Sequence, residues 1–181
     1  MVCLCCDNFG YNHKRLPKFE EGRIAYMRIS TKGRYALRIM IYLAEHYTFG
    51  YLAVKDIAEE EALSPKYVEQ IMGKLTKAGL VNAIRGAHGG YRLTDSPSHY
   101  SVCQIVKATE SSTDFAPCTN VDGSPCPRHT KCISSDVWQL VQSTVEEMLD
   151  NLTLIDILRM QENKLGTPSL YLTYLSHFKK N

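Results

Sequence analysis

The chain lacks the features that would place it in a membrane or a secretory pathway. No stretch approaches the ~18 uninterrupted apolar residues of a membrane span, and the N-terminal region has no apolar core of the kind a secretory signal carries. A cytoplasmic protein with no membrane partner is expected. Also missing are a C-x-x-C pair, a glycine-rich nucleophile elbow and a phosphate-binding loop, so Ser, His, Asp and Cys occur without a context that would make them catalytic. An enzyme is not expected. Charge of one sign is absent as well: 21 Lys and Arg against 19 Asp and Glu leave +2, too little to define a partner by bulk electrostatics. No internal repeat is evident. A composition of 44% hydrophobic and 22% charged residues excludes wholesale disorder, and 181 residues exclude a large multidomain enzyme.

What is present is unevenly distributed. Residues 28–95 hold ten Lys and Arg against seven Asp and Glu, whereas residues 96–181 hold seven against nine, so the basic surplus lies in the first half. That half is the candidate to face phosphate. Seven Cys cannot all pair within one chain, and without an export signal they read as thiols or metal ligands rather than a disulfide framework.

Residues 1–26 carry Cys3, Cys5 and Cys6 and scattered polar residues without a periodic apolar face. They read as a disordered extension, or as sequence upstream of a true start at Met27. From Ser30, the residues Ala36, Ile39, Met40, Leu43, Ala44 and Tyr47 recur at three and four, the spacing of a buried helical face. Val54–Glu59 predicts a short second helix. Ser64-Pro65 then opens a third, since a Ser hydroxyl satisfies a free backbone N–H and Pro at the first helical position loses no hydrogen bond. Val68, Ile71, Met72 and Leu75 put an apolar stripe on it, and Gly79 ends it. Residues 80–85 and 91–94 have short-strand character and are joined by the glycine-rich Gly86-Ala87-His88-Gly89-Gly90. Helix, short helix, Ser-Pro-capped helix and hairpin spell a winged helix-turn-helix. The predicted fold is mainly α with a small β-hairpin wing.

Ser101-x-x-Gln104 is a capping box that opens a fourth helix, on which Cys103 is expected to pack in the core. Residues 111–131 form a long loop. Beyond it Val137, Leu140, Val141, Val145, Met148, Leu149 and Leu152 trace a long amphipathic helix, a natural dimerisation element; Trp138 at its start is expected to pack on the loop or on the dimer partner. The organisation expected is a DNA-binding domain over 27–110, a cysteine-bearing loop over 111–135, a dimerisation helix over 136–160 and an unassigned tail over 161–181.

Two sets of residues carry chemistry. On the third helix Tyr67 and Gln70 are expected to reach base edges in the major groove, Glu69 to accept from a cytosine amino group, and Lys66 and Lys74 to meet phosphates. The wing offers Arg85, His88 and Arg92, with arginine suited to a narrow minor groove. The second set is Cys118, Cys126 and Cys132, separated by seven and five residues in or beside one loop, where successive thiolates can converge on an iron–sulfur cluster. His129, Ser135 and Asp136 are nearby candidates for a fourth ligand. His129 lies two residues from both Cys126 and Cys132, so C-x-x-H-x-x-C also suits a structural zinc, and two of the thiols could instead form a switchable disulfide.

Three stretches together resemble one family: Met27–Leu37, then Tyr67-Val68-Glu69-Gln70 with Gly79-Leu80-Val81, then Arg85-Gly86-Ala87-His88-Gly89-Gly90-Tyr91. They are similar to the Rrf2 winged-helix transcriptional regulators of bacteria, from Met27 to about Met160. The resemblance implies a homodimeric repressor on a pseudo-palindromic DNA operator. It puts Ser64, Lys66, Tyr67, Glu69 and Gln70 on the recognition helix, Arg85, Ala87, His88 and Tyr91 on the wing, and Lys32 and Arg34 near backbone phosphates. Cys118, Cys126 and Cys132 fall where cluster-bearing members carry three cysteines. The chain departs from them in its wider first gap and in the fourth ligand: the histidine of IscR-type members is Ser135 here, and the aspartate of NsrR-type members is Arg34. A two-iron and a four-iron cluster both remain open. The alternative is a CymR-type member that lacks the cluster and answers to a partner metabolic enzyme or to thiol oxidation.

Overall fold

The computed structural model describes residues 29–86, 89–110, 128 and 131–178. Residues 1–26, with Cys3, Cys5 and Cys6, lie outside the described residues, as does most of the loop over 111–135.

The chain begins with α1 (Thr31–Glu45), capped by the Ser30 hydroxyl, which accepts from the Gly33 amide. Its apolar stripe sinks completely: Ala36, Ile39, Met40, Leu43 and Ala44 are at most 2% exposed. A helix-turn-helix follows, made of α2 (Val54–Glu60) and α3 (Pro65–Lys77). Ser64 caps α3 by accepting from the Tyr67 amide, and Pro65 stands at the first helical position. Strands β1 (Val81–Ile84) and β2 (Gly90–Leu93) pair antiparallel from Val81 opposite Leu93 to Ile84 opposite Gly90.

Leu52 bridges to the hairpin by exchanging both backbone hydrogen bonds with Tyr91, each 2.9 Å. The backbones approach so closely that a Cβ on Gly90 would run into the Leu52 carbonyl, so only glycine fits there. The wing is thereby tied to Ala53, the residue that starts α2.

Helix α4 (Val102–Thr109) carries the Ser101/Gln104 capping box and packs chiefly on α1, with Cys103 2% exposed in its buried face. The single helix expected over 136–160 is instead two, α5 (Ile133–Asp150) and α6 (Leu154–Leu165). The reason is tertiary. Val102 donates to the Leu152 carbonyl and Leu154 to the Tyr100 carbonyl, so this short segment pairs with the entrance to α4 instead of continuing a helix. Thr153 and Asp156 then cap α6 reciprocally.

Leu154, Ile155 and Leu158 join the core formed by α1, α3 and α4, so α6 belongs to the compact body and not to a projecting arm. The unassigned tail also has a structure. After Gly166 ends α6, α7 (Leu170–Phe178) buries Tyr171 edge-on to Tyr47, with ring centroids 5.5 Å apart. The core thus draws on residues well beyond the expected boundary at 110. Among the described residues no helix is long and apolar enough to cross a membrane.

Candidate nucleic-acid interface

Helix α3 presents its polar residues because its apolar ones are fully committed. Val68, Ile71, Met72 and Leu75 are 0% exposed, which turns Lys66, Glu69 and Gln70 outward. Tyr67 is half-buried, its ring edge-on to that of Tyr35 on α1. Lys74 behaves differently from the phosphate contact expected of it: it is half-buried and its Nζ donates to the Thr109 carbonyl at 2.5 Å, tying α3 to the end of α4. A lysine that closes a helix C-terminus satisfies a carbonyl that has no partner within its own helix. At the start of α1, Lys32 is half-buried and Arg34 is exposed, donating to the Thr31 hydroxyl at 3.3 Å.

The wing stands apart from α3 across an open cleft of about 590 Å³ lined by Glu69, Gly73, Thr76, Arg85 and Tyr91. Arg85 is exposed at its rim. Tyr91 is half-buried, and its hydroxyl is pushed to a higher pKa by burial and, to a smaller extent, by the Glu69 carboxylate. Arg92 points to the other face of β2, its guanidinium 4.7 Å from the ring centre of Tyr51. Sequence periodicity could not show that contact, since Tyr51 precedes α2 and meets the wing only through the Leu52 bridge. His88, with Ala87, lies outside the described residues.

Of the proposed cluster ligands, Cys118 and Cys126 lie outside the described residues, and so does His129. Cys132 is described: it is a free, half-buried thiol at the N-cap of α5 and makes no capping hydrogen bond. Asp136, in the first turn of α5, is exposed. Ser135 is 1% exposed and its hydroxyl accepts from Gln139 at 3.4 Å. Among the described residues no three His, Cys, Asp or Glu side chains converge on a metal position.

A helix-turn-helix whose second helix turns polar side chains outward beside a two-stranded wing is the geometry of a major-groove reader. A family model described as "Iron-dependent Transcriptional regulator", Rrf2, matches residues 29–160. The chain belongs to the Rrf2 family. Among Rrf2 relatives, the transcriptional regulator IscR of Aliivibrio salmonicida is 35% identical over 132 residues, covering 73% of this chain and 77% of that one. The structure of T. potens IscR superposes with a TM-score of 0.59 at 36% identity, covering 76% of this chain and 90% of that one. CymR, the global cysteine regulator of B. subtilis, superposes with a TM-score of 0.58 at 38% identity, covering 72% and 95%. These relatives are regulators, not enzymes, and this Rrf2 chain is a DNA-binding transcriptional regulator with the winged-helix fold. Helix α7 lies beyond the family match.

Proposed function

We propose that this Rrf2 protein is a homodimeric, cytoplasmic repressor that reads an operator through α3 and the wing and is switched by an iron–sulfur cluster on Cys118, Cys126 and Cys132. The observation that carries the DNA-reading part is the division of α3 into a fully buried stripe and an outward face bearing Lys66, Glu69 and Gln70. Arg85, His88 and Tyr91 extend the contact from the wing, and Lys32, Arg34 and Ser64 flank it. The donor set supports the cofactor: three thiols close in sequence are soft ligands, and the one described, Cys132, is free. When bound, the cluster supplies a centre that oxygen or nitric oxide can alter. Asp136 and His129 are the candidate fourth ligands. Ser135 stands at the position of the IscR-type histidine, and its buried hydroxyl accepts from Gln139.

The likeness to CymR makes a cluster-free regulator the second reading, in which the same thiols oxidise or give way to docking of a metabolic enzyme; the C-x-x-H-x-x-C spacing alone carries a third, a structural zinc held with His129. One experiment separates these readings: visible absorption with iron, sulfide and zinc analysis on protein purified without oxygen, for the parent and for Ser variants of each loop cysteine. Brown protein whose iron and sulfide vanish in the variants is expected. Stoichiometric zinc in a colourless protein would make the loop a structural site, and metal-free protein would overturn the cofactor in favour of thiol oxidation or an enzyme partner.

A further inference from the structure

Four side chains from three segments form a continuous line that ends at the tip of the recognition helix. It begins in the turn of the helix-turn-helix, where Glu61 closes α2 and is only 7% exposed. Burial raises its carboxyl pKa and the neighbouring Arg38 guanidinium opposes that rise, because Arg38 Nε on α1 lies 2.6 Å from Glu61 Oε2. The guanidinium also lies 5.4 Å from the ring centre of Tyr35, one turn earlier on α1. Tyr35 in turn meets Tyr67 edge-on, with centroids 6.0 Å apart and planes at 89°.

Each link is attractive in itself. A guanidinium over an aromatic face gains from the ring quadrupole, and a perpendicular pair of rings is a favoured arrangement. Tyr67 stands three residues after the Ser64 cap, at the end of the helix that reaches base edges in this class of reader. A side chain there gains specificity when its direction is set before DNA arrives, since an immobilised rotamer no longer has to be ordered on binding. Tyr35 supplies that wall, and Arg38 backs it from behind with its own charge matched by Glu61.

We propose that Arg38 is a positioning residue for operator recognition. Held by Glu61, its planar guanidinium fixes Tyr35, and Tyr35 fixes the direction in which Tyr67 leaves α3. The proposal rests on the assignment of Tyr67 as a base-contacting side chain. Arg38 itself touches neither base nor phosphate in this scheme.

The test uses the full chain with two duplexes of equal length, one selected by the parent protein from a random library and one of scrambled sequence, titrated across salt concentration. Arg38→Met and Tyr35→Leu are each expected to lower the ratio of selected to scrambled affinity about tenfold, the scale of one mismatched base pair. Scrambled-DNA affinity and the salt slope stay at the parental values, Tyr35→Phe keeps the parental ratio, and Arg38→Met adds nothing to Tyr67→Ala. Equal losses on both duplexes, with the salt slope reduced by about one, would make Arg38 a phosphate contact and overturn the proposal. An unchanged ratio in Arg38→Met would overturn it too. Should Tyr67→Ala leave the ratio unchanged, the assignment of Tyr67 fails and the route through Tyr35 fails with it. Thermal unfolding establishes that each variant is folded; if Arg38→Met is not, Arg38→Gln, which keeps a polar side chain at Glu61 but lacks the guanidinium, decides in its place.

Discussion

Side chains on the outward face of α3 divide into those that read sequence and those that hold the duplex. Gln70 is exposed and bears an amide whose donor and acceptor together match an adenine edge. Lys66 is exposed one position past Pro65 and offers only charge. Gln70→Ala should therefore relax base preference at one operator position by about 1–3 kcal/mol, while Lys66→Ala should weaken binding to all sequences and lower the salt slope by about one. Titrations of matched and mismatched duplexes at several salt concentrations check both; equal behaviour of the two variants would remove α3 from the groove. Lys74 belongs to neither group, since its ammonium is engaged by the Thr109 carbonyl. A companion contact lies at the next residue, where Glu110 accepts from the Ser30 amide at 3.0 Å with its carboxylate lying over Gly33, so that a Cβ there would have to displace it. The end of α4 thus holds both α3 and the start of α1 at the point where the cysteine-bearing loop departs.

At the scale of elements, the decisive event is the break between α5 and α6. Thr153 caps α6 by accepting from the Asp156 amide at 3.3 Å, and the Asp156 carboxylate accepts from the Thr153 amide and hydroxyl at 3.1 and 2.6 Å. Losing such a cap costs about 1 kcal/mol, and here α6 carries Leu154 and Leu158, both 0% exposed, into the core. Thr153→Ala should lower the urea midpoint accordingly. The Thr153 hydroxyl, more than any other neighbour, holds the Asp156 carboxyl below the ordinary range, with the Thr153 amide and Arg159 adding to it. A carboxyl depressed in the folded state contributes stability that is complete above its unfolded pKa of about 3.9 and lost as pH falls through the lower folded value. Urea midpoints from pH 7 down to pH 3 should converge between the parent and Asp156→Asn below about pH 4. A constant gap over that range would dissociate the cap from the pH dependence.

At the scale of the whole molecule, one helix face stands exposed among the described residues. On α5, Ile133, Val137, Leu140 and Met148 are 52–80% exposed, although spacings of four, three and eight residues put them on one helical face. A row of apolar side chains on a projecting helix suits a second copy of the same helix, and a two-fold pair would present two recognition helices to half-sites about one helical turn apart. Leu140→Glu should convert the protein to a monomer in sedimentation analysis without loss of helical signal, because Leu140 touches little of its own chain, being 67% exposed. Operator affinity should fall with it. A variant that stays dimeric with parental affinity would place the interface elsewhere.

Much of the DNA-binding core was legible in sequence because local rules govern it. The Ser64-Pro65 cap, the Ser101/Gln104 box and the stripes on α1 and α3 depend on residues within a turn or two of each other, and they stand where periodicity and capping chemistry put them. The same logic failed at Leu152, where a helical stripe runs on in sequence but pairing with Tyr100–Val102 interrupts it. It also could not see Lys74 on Thr109, Arg38 on Glu61, or Arg92 on Tyr51, since each joins residues on different elements. The amino-acid sequence by itself determined the elements of the DNA-binding core, the family and the residue types offered to DNA. Only the tertiary structure decided which of those side chains remain free to use and which are consumed in holding the helices together, because that depends on contacts between segments whose separation no local pattern encodes.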